Sequence, residues 1–512
     1  MKKYIIFTLY LAVILISGGC KKSSIETNEI NEGSISGFLP NYEVIYKADE
    51  LQITPEINWT QDAGANGSYD YSWKAIPVAT PTAAGTIIGK ERNLKTQVEL
   101  TPGDYTLYYR VTDKKTNVAF TKTSSLRVTT VVGRGFLIFG NDNSGNADLQ
   151  MIAMRANGDE LILKNLLLNS GLPILKGARE VYYSGSVSAN SADNRKLWVS
   201  TNEGSYYIDR NTFRSDPSQT LQSLSFFSLT FAEPNYPVSF APMSINGVQI
   251  PGVRAAIWSN GYLNKNENVA YTAPESYGDW INQVDNVYAR LAPFIAYSPL
   301  ATSSSLVLFD KDNKRFVYNS NYFYSIIPLT LNATKFPWDQ SGTGRDLVYM
   351  ENTVNTEGGA VSGNAYALMK DATNNFHIYK FYPRTRLQIA YYRPTFNLAP
   401  DLDKANKYAF YSNRSYLFYA VGAKLYGYEY SSGNEKVKLI KDFGADEITM
   451  LKFDIQNTST SANDLYVATY SGSTGGTLRK FVVQNNPNDI VASETKSWSS
   501  LNKISSIYWR ND

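Results

Sequence analysis

The chain has 512 residues with one cysteine and one histidine, and its 49 Lys and Arg against 46 Asp and Glu leave a formal charge of +3. One cysteine excludes an internal disulfide and a thiolate zinc site, one histidine excludes a metal site built on several imidazoles, and a catalytic triad would rest wholly on His377. The even balance, without a basic stripe or a long run of like charges, argues against nucleic acid as a partner, and no cofactor or metal is expected.

The amino terminus reads as an address. Lys2 and Lys3 precede the apolar stretch from Tyr4 to Ile16, and the small residues Ser17, Gly18 and Gly19 lead into Cys20. This is the pattern of a signal peptide over residues 1–19, since the apolar stretch is shorter than the roughly 20 residues a helix needs to cross a bilayer. The ending ISGGC resembles a lipobox, although Ser17 stands where Leu, Val or Ile is usual and Ile16 lies one step further out. The resemblance implies a diacylglyceryl thioether on Cys20, which becomes the first residue of the mature chain. With about 0.8 kcal/mol per buried methylene, a diacylglycerol with an added acyl chain anchors firmly where a single chain does not. Residues 20–36 are polar and without period, as in a flexible tether. Their acidic residues Glu26 and Glu29 come only after Lys21 and Lys22.

From 37 to 130, short alternating runs separated by Gly, Pro, Asn and Asp predict a β-sandwich of about seven strands. The stretch TPGDYTLYYRVTD, with Pro102, Gly103, Tyr105, Leu107, Val111 and Asp113, resembles the late strands of PKD-type immunoglobulin-like modules, and Trp73 stands where such modules keep a core aromatic. The family's WDFGDG turn is replaced by YSWKAI. Modules of this kind usually space another domain from its support.

From 131 to 512 the texture changes to pairs of apolar strands joined by polar turns, among them GFLIFGND with LQMIAM, SSLVLFDKDNKRFVYN and YLFYAVGAKLYGYEY. Their recurrence every few tens of residues predicts a β-propeller of about seven blades, closed by KISSIYWRND. The alternative is two successive sandwiches. His377, in NNFHIYKFY, reads as an ordinary strand residue.

Candidate chemistry is sparse. Asp142, Ser144, Asn146 and Asp148 resemble the opening of a calcium loop, but the twelfth position from Asp142 is Ala153 rather than a bidentate carboxylate; a hairpin turn accounts for the same residues. Asp279, Asp339 and Asp346 lie near aromatic loops and could serve glycosidase chemistry, yet no signature pairs them and turn formation explains them as well. The chain is rich in tyrosine, which suits half-buried pleated surfaces and also stacks on sugars or peptides. Three long segments, 235–252, 271–294 and 333–346, break the blade rhythm, and long loops tend to be functional. Tyr277, Trp280, Phe336 and Trp338 are therefore the candidate ligand platform, against the alternative that they pack between blades.

A lipobox, a PKD-like module, GFLIFGNDNSGNADLQMIAM and FYAVGAKLYGYEY together resemble the PKD-like family lipoproteins that accompany outer-membrane uptake pairs of the SusC and SusD type. The resemblance implies a surface-exposed, non-catalytic outer-membrane lipoprotein that helps a transporter capture a glycan or peptide. The competing expectations are an assembly partner without its own ligand and a carboxylate-dependent glycoside hydrolase or lyase.

Overall fold

A computed structural model describes residues 31–61, 68–155, 158–184, 196–225, 236–241, 244–245, 248–249, 255–265, 276–297, 305–320, 324–394, 399–454, 460–486 and 489–511. Cys20, with the whole signal peptide, lies outside these residues, as do parts of the segments 235–252 and 271–294. The chain divides into two compact units at Thr129 and Thr130.

In the first unit, one sheet takes the strands Asn41–Ile45, Ala119–Thr129, Gly103–Asp113, Tyr69–Pro77 and Thr86–Gly89 in that order. Two antiparallel pairs complete the unit, Gly33–Ser36 with Glu56–Trp59 and Glu50–Ile53 with Leu94–Gln97. The strand period of two decides what is buried: along Gly103–Asp113 it is Tyr105, Leu107, Tyr109, Val111 and Asp113 that turn inward. Trp73 is fully buried among them, with its indole N–H donating to the Glu91 carbonyl at 2.8 Å, so the expected core aromatic is in place. Part of the expected tether is structured, however. Gly33–Ser36 pairs through Ile35 and Ile57, because Ile35 finds apolar cover on the same core.

Among the described residues, the second unit has seven antiparallel sheets of three or four strands and two two-stranded pairs, Ser244–Ile245 with Val248–Gln249 and Gln283–Val284 with Val287–Tyr288. The first blade joins the carboxyl-terminal strand Lys503–Asn511 to Arg134–Asn141, Ala147–Met154 and Glu160–Leu163. The later blades begin with Ala178–Ser184, Pro237–Phe240, Ala296–Tyr297, Asp346–Asn352, Lys407–Phe410 and Glu447–Phe453. Strands such as Ser305–Asp310 and Phe376–Tyr382 are buried throughout or nearly so, because another sheet packs on each face.

These inter-sheet cores can be followed round a circle. Leu149 of the first blade shares one with Trp198 of the second and Trp258 of the third. Ile257 meets Leu308 of the fourth, Phe316 meets Tyr379 of the fifth, Tyr366 meets Phe410 of the sixth, and Phe418 meets Phe453 of the seventh. Phe136 against Tyr466 returns to the start. The unit is a seven-bladed propeller, closed by antiparallel pairing of the chain's last strand with Arg134–Asn141.

Five of the seven innermost strands share an irregularity. Register slips by one residue between Ala178 and Glu180, Pro237 and Ser239, Leu347 and Tyr349, and Ile448 and Met450, and again opposite Phe139 and Gly140, where Ser505 is the extra residue. Each slip is a β-bulge, which re-aims the side chains that follow it.

Candidate functional site

The aromatic platform expected on the long loops does not form. Trp338 and Phe336 are 2% and 3% exposed and lie in the core between the fourth and fifth blades. The cause is backbone pairing: Phe316 N–H donates to the Trp338 carbonyl at 2.9 Å, Gln340 N–H donates to Lys314 at 2.7 Å, and Arg315 bridges Asp339. The segment thus runs as an added edge of the fourth blade, so 336, 338 and 340 turn inward while 339 turns outward. Gln388 fixes the arrangement by accepting from the N–H groups of Thr334 and Lys335 at 3.0 and 2.8 Å. Tyr277 is wholly buried beside Phe240, their rings 6.4 Å apart. Trp280 is half-buried, edge-on to Trp258 at 5.7 Å and Tyr262 at 5.5 Å. Phe336 and Trp338 are brought together, with ring centroids 5.0 Å apart, but as core.

The carboxylates singled out from sequence, Asp346 apart, accept from nearby backbone N–H groups. Asp279 caps its own neighbour, accepting from Trp280 N–H at 2.7 Å, Asp339 accepts from Ser341 N–H at 2.9 Å, and Asp346 pairs with Lys314 at 3.0 Å. Asp142 accepts from the N–H groups of Ser144 and Asn146, each at 2.8 Å, closing a hairpin, and Asp148 accepts from those of Asn165 and Leu167. Except at Asp346, whose partner is the Lys314 ammonium, these carboxylates are thus engaged by the backbone. His377 sits in its strand, 2% exposed, with Nδ1 2.9 Å from the Tyr391 hydroxyl, and burial holds its pKa below the ordinary value.

What the structure does bring together is the lining of the propeller's central channel, a cavity of about 680 Å³ reached by the inner strands of all seven blades. Glu180 comes from the second blade, Tyr349, Glu351 and Asn352 from the fifth, and Thr449 and Lys452 from the seventh. Glu351 accepts a hydrogen bond from Phe410 N–H of the sixth blade and another from the Tyr349 side chain. Burial drives its pKa up to about 8, against the opposing pull of those bonds and of Lys452. Glu180 moves in the same direction, again through burial and against Lys452. The pKa of Lys452 is lowered by burial, with Glu180, Asp454 and Glu351 opposing, and its Nζ donates to the Ile507 carbonyl at 3.0 Å.

Two further polar groups of the lining are nearly enclosed. Asn352 and Thr449 are each 8% exposed; the Asn352 side chain hydrogen-bonds that of Tyr297, and its Oδ1 accepts from Tyr297 N–H at 3.3 Å. The cavity volume lies in the range of sites for small ligands.

Sequence reasoning passed over these residues because charge inside an apolar strand carries little weight beside aromatic loops. The available signal was Lys452 between Leu451 and Phe453, and Glu351 after Met350: charges in strands otherwise apolar enough to lie at the heart of a ring.

The PKD-like family model matches residues 26–172. No curated protein matches the chain. Among solved structures, the chain is similar to a quinonprotein alcohol dehydrogenase-like protein from Bacteroides thetaiotaomicron at 12% identity, over 92% of this chain and 96% of that one, with a TM-score of 0.37. It is similar at 11% identity to a β-propeller domain from Myceliophteria thermophila, over 65% of this chain and 93% of that one, with a TM-score of 0.35. A human PKD domain matches at 18% identity, over 22% of this chain and 93% of that one, with a TM-score of 0.17.

Proposed function

We propose that the chain is an outer-membrane lipoprotein, exposed at the cell surface, which captures a glycan or peptide for a SusC/SusD-type uptake pair and performs no catalysis itself. The observation that carries this reading is the central channel, a cavity of about 680 Å³ lined from all seven blades and by the polar side chains of Glu180, Glu351, Asn352, Thr449 and Lys452. The lipid on Cys20 and the sandwich after it would act as anchor and spacer, and the propeller as receptor. A ring of seven sheets fixes the lining side chains on rigid strands, which suits recognition without large rearrangement.

Glu180 and Glu351 face one cavity, and this favours a second reading, glycoside hydrolysis or elimination by paired carboxylates. One experiment separates the two. The mature chain is screened on glycan and peptide arrays, and each retained ligand is then followed for new reducing ends or unsaturated products. Capture without turnover that is lost in Asn352→Ala and Thr449→Val is expected. Turnover would replace the binding reading with the catalytic one, and the absence of any retained ligand would leave the assembly role in its place.

A further inference from the structure

We propose that a cavity in the second blade is a site for an acidic sugar, whose carboxylate or sulfate is held by Lys196, Arg210 and Arg214 while Gln219 donates to a neighbouring hydroxyl. The cavity shares no lining residue with the channel; it adds a site to the capture reading and rests on that reading only in taking the ligand to be a glycan.

The backbone brings the cations together. The strands Lys196–Thr201 and Gly204–Ile208 pair with Leu197 opposite Ile208, so Lys196 and Asp209 lie at the same end of the pair. The turn that follows closes on itself, with Asp209 N–H donating to the Arg214 carbonyl at 2.7 Å and Phe213 N–H to the Asp209 carbonyl at 2.8 Å. Phe213 is buried and fastens the turn from within. Arg510 of the closing strand, itself buried, donates to the Arg210 carbonyl and, at 3.1 Å, to Asn211 Oδ1. Arg210 and Arg214 are thus carried on a fixed turn beside Lys196, and with Tyr207, Asp209 and Gln219 they line a cavity of about 300 Å³.

Charge on this wall is uneven. Among the described residues it carries three cations and one carboxylate. That carboxylate is already in use, since Asp209 Oδ1 accepts from Asn211 N–H at 3.0 Å, from Thr212 N–H at 2.7 Å and from the Thr212 hydroxyl at 2.8 Å. Lys196 Nζ lies 5.6 Å from the centre of the Tyr207 ring, which keeps the ammonium at the wall. All these groups can be reached from solvent: Arg214 is exposed, and Lys196, Arg210 and Gln219 are half-buried. Partly enclosed charges are screened less by salt than charges on open surface.

The wall offers donors. Gln219 Oε1 accepts from the Ser215 hydroxyl at 3.0 Å and from Asp216 N–H at 3.1 Å, which leaves its Nε2 to donate. A guanidinium holds an oxyanion through two parallel hydrogen bonds. The cavity has the volume of a small-ligand site and admits a pyranose ring, where the carboxylate of an amino-acid side chain would leave it largely empty. The half-buried ring of Tyr207 gives that sugar an apolar side to lie against. A uronate and a sulfated sugar each present an anion next to hydroxyls.

The test is calorimetric titration of the mature chain at neutral pH and low salt with galacturonate, galactose 6-sulfate, galactose, inorganic sulfate and N-acetylglutamate. At least one acidic sugar is expected to bind about tenfold or more tightly than galactose, the scale of hydrogen bonds to charged partners, and to weaken as salt is raised. Which of the two binds better assigns the anion, carboxylate or sulfate. Arg214→Gln and Lys196→Gln should each weaken that binding by about tenfold, and Arg214→Lys, which keeps the charge and loses the planar fork, should fall between Arg214→Gln and the parent. Unchanged melting profiles separate these effects from damage to the fold. Equal binding of acidic and neutral sugars, or unchanged binding in both glutamine variants, overturns the proposal. Inorganic sulfate held as tightly as the sugars would make the cavity a site for an adventitious ion only, and N-acetylglutamate held as tightly would make it a site for acidic peptides; either result overturns the sugar. The capture reading falls separately, by ligands that ignore Asn352 and Thr449 of the channel.

Discussion

Replacing Trp338 with Ala tests whether the loop 333–346 is core or binding surface. The indole is 2% exposed and meets Phe316 at 5.5 Å, Phe336 at 5.0 Å and Phe381 at 5.4 Å between ring centroids. Truncating a buried Trp or Phe costs about 3–5 kcal/mol, from lost transfer energy and the cavity left behind. Aromatic pairs add about 0.5–1.5 kcal/mol each beyond burial, and three such contacts place Trp338 in the upper half of that range. The assay is urea unfolding followed by circular dichroism, comparing the propeller transition with that of Tyr324→Ala. Tyr324 is 74% exposed, so its loss should stay within about 0.5 kcal/mol. At a slope of about 3 kcal/mol per molar urea, the Trp338 variant should unfold more than about 1 M earlier. A loss below about 1 kcal/mol, the typical cost of an ordinary substitution, would refute the packing described for this loop and restore Trp338 as a surface residue.

Two further outcomes are expected. Cys20→Ala should shift the protein from the membrane fraction to the soluble exported fraction with an unchanged melting profile, and continued membrane association would remove the lipid anchor from the account. Glu351 has its folded-state pKa at about 8, above its ordinary 4.5, so the folded chain keeps a proton that the unfolded chain has released between those values. The stability due to this group is therefore complete below about pH 4.5 and is lost as pH rises towards 8. Glu351→Gln should flatten that decline, leaving the residual slope of Glu180, and a decline identical to the parent's in stability measured from pH 5 to 8 would contradict the burial of Glu351.

The propeller was legible because its signal is local. Each blade repeats an apolar strand, a polar turn and a second apolar strand, and antiparallel neighbours in sequence become neighbours in the sheet, as in Tyr416–Val421 against Lys424–Glu429. Closure was legible too, since KISSIYWRND has the apolar strand pattern of the blades, and Lys503–Asn511 pairs with Arg134–Asn141. The site was not legible, for two reasons. Residues 336–340 look like a loop because Pro337 and Asp339 interrupt the apolar pattern, yet period-two alternation continues through them and turns Phe336 and Trp338 inward. Glu180, Glu351 and Lys452 are separated by long stretches of sequence and line one channel only when the ring closes.

The channel's charges also bear on what the ring is for. The cores between blades are built from apolar and aromatic side chains, such as Phe316 with Tyr379 and Phe418 with Phe453, and need no ion pair to hold them. Buried charges usually lower stability relative to apolar side chains of the same size. Glu180, Glu351 and Lys452 are half-buried on the channel wall and add nothing to these apolar cores. Bulges precede all three, at Ala178/Glu180, Leu347/Tyr349 and Ile448/Met450, and a bulge gives up regular ladder pairing in order to redirect side chains. Strands that forgo both ladder regularity and apolar packing at the same place, on three different blades, place polar groups on the channel wall, which is what the proposed capture role requires.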